Sequence, residues 1–131
     1  MFRKFTFSDK QIGDYFQSAR RDLVLASSPE PEVKFLFSYN CLLKVAQAVC
    51  ARQGLRVKSN TGHHAALLEK YAEFLQDEKI SALGQAMRDK RNRDLYDGGA
   101  VITKKEADTY YRLVEALISN AESYLFSDKL K

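Results

Sequence analysis

The stretch Pro31–Gln53, PEVKFLFSYNCLLKVAQAVCARQ, decides how the rest of the chain is read. Phe35, Tyr39, Leu42, Ala46 and Val49 recur at i, i+4, i+7, i+11 and i+14, the spacing of one face of an α-helix. Leu36 and Leu43 widen that face until apolar positions extend more than halfway round, which predicts a central, buried helix. Pro31 suits the first turn, where its missing N–H costs nothing, and Gly54 is the residue type that ends helices.

Amphipathic segments lie on either side. Ser8 is an N-cap for a helix through about Ala26, with Ile12, Tyr15, Phe16, Ala19, Leu23 and Ala26 as its apolar stripe. Ser27-Ser28-Pro29 breaks that pattern, and Leu55–Thr61 reads as a basic polar loop. A third helix is predicted from about Gly62 to Gln76, packing through Ala65, Leu68, Tyr71 and Leu75 with Leu67 and Phe74 alongside. A fourth runs from Glu78 to about Asp97, where Gly98-Gly99 would stop it. The fifth opens at a capping box, Thr103-Lys-Lys-Glu106, and carries Ala107, Tyr110, Val114, Leu117, Ile118, Ala121 and Leu125. No stretch shows a strand pattern. The expectation is an all-α fold, a four- to five-helix up-and-down bundle spanning residues 1–131 as a single domain.

Composition narrows the function classes. The net charge of +4 permits an acidic partner, nucleic acid being the commonest, without demanding one. The excess gathers around Lys44–Lys58 and Arg88–Arg93, while the acids lie more in Glu69–Glu78 and the last third. No apolar run approaches the roughly 18 residues of a membrane span, and no apolar run follows the basic residues of MFRKFTFSDK as a signal peptide requires. Cys41 and Cys50 stand nine apart in one predicted helix, about 13.5 Å along its axis, too far to bridge each other. They read as buried apolar residues in a reducing compartment, so the expected location is cytoplasmic, with no membrane association.

Catalytic signatures are sparse. There is no glycine-rich phosphate loop, no HExxH and no Cys–His pair at metal spacing, so neither a metal nor a cofactor is expected. The densest set of polar functional groups is Ala86–Gly99, AMRDKRNRDLYDGG. Arg88, Asn92 and Tyr96 fall at i, i+4 and i+8 and form one helical stripe, with Arg91 about 60° round from Arg88. A guanidinium fork, an amide and a phenol on one stripe can grip a phosphate or a planar base. Asp89–Arg93 and Arg93–Asp97 are also i, i+4 opposite-charge pairs, the pattern of a solvated helix face. His63-His64 opens the third helix; adjacent helical positions point about 100° apart, so one ring is expected to turn inward and the other to stay wet, rather than both to face one ligand. Tyr110-Tyr111 falls at core spacing.

The arrangement resembles the HEPN family, the small helical domains named for higher eukaryotes and prokaryotes nucleotide binding. The likeness covers most of the chain: the early amphipathic helix, then FSYNCLLKVAQAVCARQGLRVKSNTGHHAALLEKYAEFL, and RNRDLYD, where family members carry Arg-x4–6-His or, in another branch, Arg followed five residues later by Tyr. Arg91 matches the motif arginine, Asn92 its polar follower and Tyr96 the closing position. The resemblance implies a homodimer whose motif helices meet at a cleft, and toxin-like members that work beside a small nucleotidyltransferase antitoxin. It also implies metal-independent RNA cleavage, the arginine holding the scissile phosphate and the histidine moving a proton. Here Tyr96 replaces that histidine, and a phenol with an ordinary pKa of about 10 is a poor general base at neutral pH. The acid that precedes the tyrosine in the His-less branch is also displaced, with Leu95 in its place and Asp94 one earlier. Arg91, Asn92 and Tyr96, with Arg88 beside them and His64 and Asp94 in support, are therefore expected to bind an RNA or nucleotide phosphate. Tyr96 could also accept a nucleotidyl group. Whether the chain cleaves RNA, or is a non-catalytic homodimeric subunit docking the nucleotidyltransferase, stays open at this level. So does the choice between Arg88, which the stripe favours, and Arg91, which the family register favours.

Overall fold

The computed structural model describes residues 2–57, 63–96 and 102–126, with side chains 94–96 left out. It is an all-α bundle of five helices: α1 (Asp9–Leu25), α2 (Pro31–Arg52), α3 (His63–Leu75), α4 (Glu78–Tyr96) and α5 (Lys104–Phe126). The five segments are those that the apolar spacing predicts. Two strands that the spacing misses, β1 (Phe2–Lys4) and β2 (Leu55–Val57), pair antiparallel with Phe2 opposite Val57 and Lys4 opposite Leu55. Leu55–Val57 is therefore not a polar loop. Three residues are too few to establish a period of two, and the pairing is fixed instead by the turn before it. Gly54 takes φ +72°, a left-handed conformation suited to glycine, which reverses the chain out of α2 while its carbonyl accepts from Phe5 N–H at 2.9 Å. Residues 58–61 of the expected loop, the Gly62 start of α3 and the Gly98-Gly99 stop lie outside the described residues.

The helix ends are set as local chemistry requires. Ser8 accepts from Gln11 N–H while the Gln11 side chain returns to Ser8 N–H, a complete capping box on α1. Thr103 and Glu106 make the same reciprocal pair on α5. Gln76, at φ 53°, closes α3 in the left-handed region, and Asp77 N–H turns back to the Ala72 carbonyl.

α2 is the axis of the bundle. It packs against each of the other four helices, and twelve of its 22 residues are buried. Leu36, which the apolar spacing assigns to the buried face, is instead 44% exposed, as is Val33 at 38%. They belong to a strip comprising Val33, Leu36, Asn40, Lys44 and Gln47, at i, i+3, i+7, i+11 and i+14, which is the least buried side of the helix. Cys41 and Cys50 are buried and unbridged, and burial pushes both thiols up to about 12, so neither is a nucleophile at neutral pH.

Close approach between α3 and α4 holds the third and fourth helices together over the same side. A Cβ built on Gly84 would stand 2.8 Å from Leu68 Cδ1 and 3.2 Å from its Cγ, and Leu68 is itself buried. Gly84→Val is accordingly expected to destabilise the bundle by about 1–3 kcal/mol through overpacking against Leu68, which outweighs the small gain in helix propensity over glycine. Urea unfolding followed by circular dichroism measures it, and an unchanged midpoint would refute the packing argument.

Candidate anion site at Tyr39

Tyr39 lies on α2 beside the exposed strip, and its side chain is almost fully buried, with 1% exposed. A buried phenol needs a polar partner and offers a ring face to a cation. Both are present. Its hydroxyl stands 3.5 Å from His64 Nδ1, a long contact whose donor depends on the imidazole tautomer, with the two rings edge to face. Over its ring, 5.9 Å from the centroid, lies the Arg91 guanidinium from the far end of α4. Residues from α2, α3 and α4 thus meet at one place.

Arg88, one turn before Arg91, faces the same centre: the two guanidinium groups, Arg91 more than Arg88, act on both Tyr39 and His64. The choice between them is therefore not exclusive. Spacing of three residues puts both on the inner side of α4, Arg91 nearer its middle line. Asn92 is partly buried on the same helix, with no hydrogen bond tying it to the cluster among the described residues. Tyr96 closes α4, and its side chain and that of Asp94 lie outside what the structure describes.

His64 turns inward to the Tyr39 hydroxyl, as expected of one of the two histidines, but the rings do not diverge. They contact each other edge to face at 4.4 Å and line one cavity together. At the first turn of a helix no preceding turn crowds the side chains, so rotamer choice can close an angle of about 100° between adjacent positions.

The charge balance of the site is one-sided. Lys90, between the two arginines, is 2.9 Å from Glu106 and ties α4 to α5; that bond, with the capping contacts of Thr103, holds the Glu106 carboxyl below its usual range. Asp89 accepts from Gln85 at 2.9 Å. The Arg93–Asp97 pair involves a residue outside the described set. Among the described residues neither Arg88 nor Arg91 has a carboxylate within 4.0 Å. In the other basic region Lys44 pairs with Asp22 at 2.6 Å and Arg52 with Asp9 at 3.6 Å, while Arg56 lies over the Phe5 ring. At Tyr39 itself, positive charge is therefore in local surplus among the described residues.

Protonation follows from that surplus. Burial raises the Tyr39 phenol above its ordinary value, with Arg91 and Arg88 pulling the other way, so it stays protonated at neutral pH. Burial also lowers His64, and His63, Arg91 and Arg88 lower it further. Its imidazole is neutral at pH 7 and can accept a proton. Among the described residues no group of three or more His, Cys, Asp or Glu is placed to hold a metal ion, and no helix is long and apolar enough to cross a membrane.

Tyr39 is the member of this site that the sequence hides, because it falls on the apolar stripe of α2. The one available signal is the phenol itself, a polar atom at a position otherwise filled by carbon. No protein-family model, curated protein or solved structure matches the chain.

Because the folded-state value of His64 is depressed, the unfolded chain takes up the proton first as pH falls below about 6.5, and this group withdraws stability in that range. An NMR titration of the His64 ring is expected to give a midpoint below 6.5, moved upward by sulfate, which offsets the surrounding cations, and also by Arg91→Ala. A midpoint indifferent to both would show that the arginines do not govern this imidazole.

Proposed function

We propose that the chain is a HEPN-like domain that binds the phosphate of RNA or of a nucleotide through Arg88 and Arg91, with His64 alongside. One observation carries the reading: two guanidinium groups without a carboxylate partner among the described residues converge with an imidazole on a buried phenol. Cations so grouped repel one another, and a phosphate relieves the repulsion while matching the guanidinium fork. Arg91, the residue that the family likeness marks, is the one seated over Tyr39.

In this reading Tyr96 does not have to serve as a base. Where cleavage accompanies binding, His64 takes the proton of the ribose 2′-OH, since it is neutral at pH 7 and shares Tyr39 with Arg91. Arg91 offsets the charge that develops on the phosphate. The likeness further suggests a cytoplasmic homodimer working with a small nucleotidyltransferase. Exposed Val33 and Leu36, which line a cavity with Arg91, favour a second reading in which this end of the bundle is a docking face for a second copy or for that enzyme.

Filter binding and cleavage of RNA without added metal, on wild type, Arg91→Ala, His64→Gln and Tyr96→Phe, separate the readings. Arg91→Ala is expected to weaken RNA binding about tenfold to a hundredfold, as loss of a charge-assisted contact does. Cleavage abolished by His64→Gln with binding retained would identify a ribonuclease using an imidazole from α3. Binding without cleavage would identify a binding member. RNA affinity equal in wild type and Arg91→Ala would overturn the phosphate reading and leave the docking face.

A further inference from the structure

Two cavities open along the exposed strip of α2, one on each side of the Tyr39 centre. The first, about 250 Å³, lies among Val33, Phe35, Leu36 and Ile102, with Arg91 and Glu32 as its polar walls. The second, about 180 Å³, is different in kind. Leu43 and Leu67 give it apolar sides, Asn40 and Gln47 supply two carboxamides, and the rings of His63 and His64 complete it. It lies below the roughly 300 Å³ at which pockets for drug-sized ligands begin, so it suits one ring system rather than a whole cofactor.

Its chemistry selects the kind of ring. Lys44 stands at the same cavity, but its ammonium is 2.6 Å from the buried Asp22 carboxylate, so its charge is already compensated. What the cavity offers a ligand is carboxamides that donate and accept side by side, the neutral His64 ring, and apolar leucine sides. A nucleobase needs that combination, because its edge alternates donors and acceptors and its faces are apolar and aromatic. The placement also fits. His64 is a wall of this cavity and at the same time touches the Tyr39 hydroxyl beneath Arg91, so the cavity begins where the cationic cluster ends.

We propose that the cavity between α2 and α3 is a base subsite, holding the nucleobase of a nucleotide whose phosphate rests on Arg88, Arg91 and His64, with Asn40 and Gln47 reading the base edge. This inference rests on the phosphate-binding reading above and adds to it what the rest of the ligand is. It assigns recognition to α2 residues outside the Arg91–Tyr96 motif.

Calorimetry on the full chain tests it with inorganic phosphate, ribose 5-phosphate and the four nucleoside 5′-monophosphates. At least one nucleotide is expected to bind about tenfold or more tightly than ribose 5-phosphate, the gain from a buried, hydrogen-bonded ring. The Asn40→Ala/Gln47→Ala double variant is expected to lose that advantage while its affinity for ribose 5-phosphate is unchanged, which also shows that the variant is folded. Ribose 5-phosphate binding as tightly as every nucleotide would overturn the base subsite and leave the phosphate site standing. An advantage that survives the double variant would overturn its assignment to this cavity. No binding by any of the six ligands would overturn the phosphate reading, and this inference with it.

Discussion

Burial of α2 on nearly every side is the constraint from which the rest of the structure follows. A helix that buries twelve of 22 residues has to be wrapped, and four helices wrap it. Their packing leaves one strip, Val33 to Gln47, less covered than the others. The two cavities beside Tyr39 have that strip as their floor. Tyr39 sits at the edge of the strip, where the core ends and polar groups begin, so its ring is held by packing while its hydroxyl can meet a histidine. A phenol held in this way is a rigid support for side chains arriving from α3 and α4, which have no direct sequence relation to each other.

Charge compensation explains why the support matters at this place. Around the bundle, several cations are matched by carboxylates: Arg20 with Glu122, Lys34 with Asp108, Lys44 with Asp22, Lys90 with Glu106. Exposed pairs of this kind contribute little to stability. Their significance is in using up charge. Lys44 and Asp22 differ from the rest because Asp22 is buried, and removing its partner would strand a carboxylate in the core. Once these commitments are made, Arg88 and Arg91 are the cations of α4 turned to the interior of the site without a counter-charge among the described residues. A basic run in a sequence is only a number of charges. Which of them remain available is decided by tertiary pairing, and Lys90, in the middle of the run, is spent on α5.

The same division separates what was legible in the sequence from what was not. Helix positions follow from the recurrence of apolar residues and from caps such as Ser8 and Thr103, all of them relations within a few residues. The β1–β2 pair joins residues about fifty positions apart and is too short to have a period, so no local pattern announces it. In the site, Arg88 and Arg91 are visible as chemistry, and His64 is visible as a histidine, but their meeting at Tyr39 links positions 39, 64 and 91 through packing. Tyr39 belongs to the apolar stripe of α2, and its second role cannot be seen in a helical repeat. His63 and His64 face one cavity although adjacent helical positions predict that they diverge, because a helix is only beginning there and its side chains have more freedom.

Local rules agree with the global fold over most of this chain: apolar spacing, capping boxes, a positive-φ glycine after α2 and matched surface charges all favour the same bundle. At Tyr39 they do not agree. Like charges are brought together, an imidazole is kept neutral by burial and by its cationic neighbours, and a phenol is buried against a long hydrogen-bond contact. The grouped guanidinium charges cost folding free energy at neutral pH, and the depressed imidazole does so below about 6.5; an anion would relieve both, lowering the repulsion between the arginines and giving His64 a reason to hold a proton. Departures from local consistency concentrate where a protein meets its ligand. At a site destabilised by its own charge and supported by the most deeply buried helix, the proposed phosphate would remove the interaction that the fold itself leaves unfavourable.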